Sequence, residues 1–282
     1  MNKLLLIAFL FSAGCATSTA VQAPAAVQPV PQKPKVTFDD IFRIAENSKC
    51  TSYNWKNRGV GPKAYTKGVS LVFAKSLCRQ NDTDIKILSS AQSGDDVKDS
   101  LSLYNSTFKA LGMTNDKSGV DTLRHTYTLL IGLGMMESAG KHCCGRDMSA
   151  NFSSADSAEA GLFQASWGAR RSSPVLAPML AKYKVSKAGC FLDVFQDKVK
   201  CKPGNEKNWG EGDGAIYQQT AKECPAFATE YAAVLLRTLG GTKGEFGPLR
   251  KKAAEINPDC DGMFKQVQTL VEQNPDICSQ LK

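Results

Sequence analysis

A short apolar leader with nine cysteines behind it constrains this chain more than any other feature. Asn2 and Lys3 precede the apolar run Leu4 to Phe11, and Ser12-Ala13-Gly14-Cys15 closes it. Such a run is too short to cross a bilayer as a permanent helix, so it reads as an export signal. Of the ten cysteines, Cys15 lies at the processing site. The others are Cys50, Cys78, Cys143, Cys144, Cys190, Cys201, Cys224, Cys260 and Cys278. Behind an export signal these predict a disulfide framework, with one cysteine left over because their number is odd. Short separations suggest the local bridges Cys50–Cys78, Cys190–Cys201 and Cys260–Cys278, although spacing leaves the connectivity open. A zinc site at His142-Cys143-Cys144 is not expected, because adjacent cysteines chelate one ion awkwardly and no second cluster completes it.

The small residues before Cys15 resemble the lipobox of bacterial lipoproteins, where the Cys becomes the lipidated first residue. That resemblance implies a membrane anchor through Cys15. Ala16 in the following position implies the outer membrane, with plain secretion to the periplasm or beyond as the alternative. Residues 16–35 alternate Ala, Val, Gln and Pro without an apolar face and read as an extended tether. The expected organisation is therefore a signal peptide (1–15), a tether (16–35) and one folded domain (36–282). The formal charge of +8 suits an anionic partner such as cell-wall polymer or a membrane surface. Nucleic acid is not expected, since the basic residues are scattered and not interleaved with stacking aromatics.

Apolar residues recur at helical spacing in 36–46, 63–77, 123–136, 174–183 and 225–239, the last ended by Gly240-Gly241. Residues 85–111 read as helices with turns, 160–166 as helix-like, and 248–254 with 262–273 as a final pair. Residues 189–214 read as a Gly/Lys/Asn-rich connection. No Asn-Gly hairpin signal stands out, so a mainly α fold with few short strands is predicted.

The stretch from Asp121 to Arg170 carries the chemistry. Ile131 to Met136 is apolar on nearly every face, so the helix is buried and delivers Glu137 at its end. Burial disfavours the carboxylate and raises its pKa, as a proton donor to a glycosidic oxygen requires. Glu137-Ser138, a polar loop, and then Gly161-Leu162-Phe163-Gln164 resemble the lysozyme-like superfamily of goose-type lysozymes and lytic transglycosylases. In that superfamily a Glu-Ser pair ends a core helix and a Gly-Leu-Met-Gln element lines the sugar groove. The 24 positions from Glu137 to Gly161 resemble the goose type. Trp55-Lys56-Asn57-Arg58-Gly59 with Tyr65, and Cys224-Pro225-Ala226-Phe227-Ala228 with Phe246-Gly247-Pro248, resemble a cysteine-rich bacterial branch. That branch includes lysozymes of predatory bacteria that prefer deacetylated peptidoglycan.

The resemblance implies a goose-type helical domain that acts as a monomer, without cofactor or metal, on the glycan strands of peptidoglycan. Glu137 would be the acid, Ser138 would brace it, Gln164 and Ser166 would line the groove, and Tyr231 would stand near the acid. Hydrolysis needs a second carboxylate to activate water. Asp156 is the nearest positional match, with Asp147 and Glu159 as rivals or as partners for the ammonium of a deacetylated sugar. Ser166 stands where goose-type enzymes carry a further Asp. Without a second carboxylate, Glu137 would serve as acid and base in a transglycosylation giving anhydro ends. A non-catalytic wall-binding lipoprotein and a cysteine peptidase built on His125 or His142 are the other readings.

Overall fold

The computed structural model describes residues 36–145, 153–201, 204 and 206–281. Among them the chain forms thirteen α-helices. The first six are α1 (Phe38–Asn47), α2 (Lys49–Ser52), α3 (Lys63–Leu77), α4 (Thr83–Ser89), α5 (Ser100–Leu103) and α6 (Asn105–Ala110). The long α7 (Val120–Ser138) follows, then α8 (Leu176–Val185), α9 (Leu192–Gln196) and α10 (Gly212–Glu223). The chain closes with α11 (Pro225–Thr238), α12 (Gly247–Arg250) and α13 (Pro258–Gln273). Strands are confined to two antiparallel hairpins, β1 (Asn54–Trp55) with β2 (Gly59–Val60), and β3 (Glu159–Ala160) with β4 (Ala165–Ser166).

Helix α7 is the axis of the domain. Every residue from Thr122 to Met135 is buried, and α3, α4, α11 and α13 pack around it. Its buried polar residues are hydrogen-bonded, some within the helix and others, such as Arg124 to Asp261, to neighbouring elements. Thr126 and Thr128 donate to the carbonyls of Thr122 and Arg124, four residues earlier. Gly134 lets Tyr65 lie directly on the helix, since a Cβ there would stand 2.3 Å from the tyrosine oxygen. The Tyr65 hydroxyl donates to the Ile131 carbonyl at 2.8 Å.

The second buried helix, α11, starts where the sequence allows a clean entry. Pro225 sits in its first turn, where a missing N–H is harmless. Its interior Glu230 is paired with Lys75 of α3 at 3.1 Å and accepts from the Tyr183 hydroxyl of α8 at 2.9 Å. Helix α13 is capped by the Asn257 side chain, which accepts from the Asp259 N–H, with Pro258 in the first turn.

Two expectations are corrected. The disulfides are Cys50–Cys260, Cys78–Cys278, Cys143–Cys201 and Cys190–Cys224, so none of the three local bridges forms. Packing of α13 against α2 and α3 brings residues about 200 apart within bonding range, and tertiary proximity overrides short spacing. Four such bonds mark an oxidising, exported environment. Residues 160–166 form the β3–β4 hairpin rather than a helix. Gly161 and Gln164 both take positive φ, +77° and +49°, which a right-handed helix does not accommodate. Helix α10 also lies in a region without a helical reading, because Gly212 and Gly214 sit in its first turn. Among the described residues no helix is long and apolar enough to cross a membrane. Cys15 and the tether lie outside the described residues.

Candidate active site

Glu137 occupies the penultimate position of α7, partly buried, where the helix meets the loop that follows. The end of α7 is tightly tied. Ala139 turns into the left-handed region at φ +53°, and the Ala139 and Gly140 amides donate to the Met135 and Gly134 carbonyls. The Ser138 hydroxyl donates to the Gly134 carbonyl and accepts from the Lys141 N–H, both at 3.1 Å. Ser138 therefore fixes the backbone beneath Glu137 and does so through the main chain. Arg58, at the turn of the β1–β2 hairpin, donates to the Met136 carbonyl. This guanidinium thus sits at the negative end of α7, where a cation is favoured.

The Glu137 carboxyl is pushed up to about 8, first by burial and then by the negative charge of Glu159. Arg58 and Arg250 oppose the shift, and Glu245 adds a smaller push in the same direction. At neutral pH the group is a protonated acid, able to donate a proton to an oxygen leaving group.

The β3–β4 hairpin lies against the end of α7, with Phe163 next to Gly134. Its Gly161 N–H donates to the Cys144 carbonyl at 2.8 Å, which docks it on the loop that leaves Glu137. Gly161 is required there, because a Cβ would stand 2.8 Å from the Ala221 carbonyl oxygen. The buried Gln164 amide donates to the Gly161 carbonyl at 2.8 Å and to that of Cys144 at 3.4 Å. Glu159 pairs across the hairpin with Ser166. The Ser166 N–H donates to Glu245 Oε1 at 2.8 Å, and its carbonyl accepts from the Tyr231 hydroxyl at 3.1 Å. Tyr231 has no exposed surface, so it supports β4 from below through Ser166.

The structure thus brings together Glu137, Ser138, Glu159, Gln164 and Ser166, with Tyr231 beneath them. Asp156 has a different neighbourhood. It is held by Arg170 at 2.9 Å, and that guanidinium lies over the Trp167 ring. Asp147 lies outside the described residues. Three charged residues of the site were not read as functional from sequence: Arg58, Glu245 and Arg250. Arg58 stands in the quoted Trp55–Gly59 element. Glu245, directly before the quoted Phe246-Gly247-Pro248, carried no signal of its own.

His142, Cys143 and Cys201 place their ligand-type atoms within 4.8 Å of one another. The two sulfurs are joined as a disulfide, so neither is a thiolate ligand in the oxidised chain. His142 turns Nδ1 to the Lys222 carbonyl at 3.0 Å. His125 faces Asn115 at 2.8 Å. Both imidazoles are therefore engaged with groups other than a cysteine. Compared with family models, curated proteins and solved structures, the chain matches none of them.

Proposed function

We propose that the protein is an exported enzyme that cleaves the glycan strands of peptidoglycan, with Glu137 as general acid. The observation that carries this reading is Glu137 at the end of a buried helix, its carboxyl pushed up to about 8, with Phe163 of the Gly161–Gln164 hairpin packed on the same helix at Gly134. A glycosidic bond breaks when its leaving oxygen is protonated, and an acid still protonated at neutral pH supplies that proton. The Glu137-Ser138 and Gly161–Gln164 elements support a lysozyme-like, goose-type domain, and the substrate bond is the one joining the two amino sugars of the strand. A lipid anchor on Cys15 would hold the enzyme at the outer membrane, and the net charge of +8 suits the anionic wall.

The test is to incubate acetylated and deacetylated sacculi with the parent protein and with Glu137→Gln, and to weigh the products. Release of fragments with reducing ends by the parent, lost in the variant, is expected for a hydrolase. Anhydro ends would make the protein a lytic transglycosylase. Cleavage of peptide stems, full activity of Glu137→Gln, or binding without release would overturn the glycosidase reading.

A further inference from the structure

Glu245 is held at both its backbone and its side chain. Its N–H donates to the Leu239 carbonyl at 2.8 Å, and Arg250 Nη1 donates to its carbonyl at 2.7 Å. Its side chain is anchored through one oxygen, Oε1, by the Ser166 N–H at 2.8 Å. Oε2 accepts no hydrogen bond from the described residues. The α12 helix, which begins two residues later, packs on α7, and the Glu245 charge acts on Glu137. The anchoring strand β4 belongs to the hairpin docked on the loop after Glu137.

The other carboxylates have different surroundings. Asp156 is paired with Arg170 at 2.9 Å, and that guanidinium lies over the Trp167 ring. Glu159, opposite Ser166 in the hairpin, adds the largest charge effect to the burial that raises Glu137. We propose that Glu245 is the catalytic base of this site, its Oε2 taking a proton from the water that attacks the anomeric carbon. This rests on the glycosidase reading above. In the step, Glu137 gives its proton to the leaving oxygen as the bond from that oxygen to the anomeric carbon breaks. The water oxygen bonds to the anomeric carbon, and its proton passes to Glu245. Return of one proton from Glu245 to Glu137 through solvent restores both groups.

Glu245→Gln and Glu245→Ala separate this role from a structural one. The Gln amide oxygen still accepts from Ser166 N–H but no longer takes a proton, whereas Ala loses both functions. The two variants are assayed on sacculi in ¹⁸O-water, with and without azide, an anion that attacks carbon without needing a base. Expected for Glu245→Gln is a melting temperature near the parent's and a fall of about 100-fold or more in labelled reducing ends. Azide then yields a glycosyl azide of inverted anomeric configuration. Parental hydrolysis by Glu245→Gln overturns the proposal. So does loss of activity with a lowered melting temperature and no azide product, which would make Glu245 a positioning residue for β4. If the parent itself releases no glycan fragments, the glycosidase reading fails and this proposal falls with it. That result differs from one in which only the Glu245 variants are silent.

Discussion

Tyr231 lies beneath Ser166 with no exposed surface and donates its hydroxyl to the Ser166 carbonyl at 3.1 Å. The central helix α11 thereby supports the strand whose amide holds Glu245. Removing the hydroxyl with Tyr231→Phe leaves a buried carbonyl short of its partner. The expected loss of stability is about 1 kcal/mol, measured by urea unfolding. Glycan release should fall as well, because β4 is no longer pinned. An unchanged unfolding midpoint would mean that the bond contributes nothing.

The raised Glu137 carboxyl predicts two pH dependences. As a general acid it must be protonated, so kcat/KM should fall as pH rises through about 8. For stability, the folded value lies above the ordinary 4.5. Folding therefore favours the protonated form, and an ionisation penalty grows between 4.5 and about 8 and is complete above that. Glu137→Gln should match the parent in stability below pH 4.5 and exceed it above pH 8, by at least about 1.4 kcal/mol, the equivalent of one pH unit. Thermal melts of both proteins at pH 4 and pH 9 check the sign.

The long disulfides should dominate stability. Cys50–Cys260 spans 210 residues and Cys190–Cys224 spans 34. On the chain-entropy account, the longer loop stabilises by about 1.6 kcal/mol more than the shorter. Paired Cys→Ala replacement at Cys50 and Cys260 should therefore lower the melting temperature further than replacement at Cys190 and Cys224. Peptide mapping under non-reducing conditions should recover the four long-range pairs.

Arg237 is a structural hub away from the acid. Its buried guanidinium pairs with Asp99 at 2.9 Å and donates to the carbonyls of Ile87, Leu88, Ser90 and Ala91. Arg237→Met leaves Asp99 charged, buried and without its cation, which costs about 3–5 kcal/mol. A urea midpoint within error of the parent's would refute that role.

What the sequence by itself determined is local. Apolar spacing marked α3, α7 and α11, because helical burial repeats every three to four residues, and it placed Glu137 at the end of a buried helix. The odd cysteine count behind a leader announced a disulfide framework, and four pairs form among the described residues. Only the tertiary structure decided the rest. The cysteine pairs follow helix packing across some 200 residues, which no spacing rule encodes. The Gly161–Gln164 turn reads as a helix until backbone angles of opposite sign show a hairpin. The charges around Glu137 come from Arg58, Glu159, and Glu245 with Arg250, which three separate segments deliver to one place. A carboxyl's proton affinity is set by burial and by charges in space, and the order of residues along the chain specifies neither.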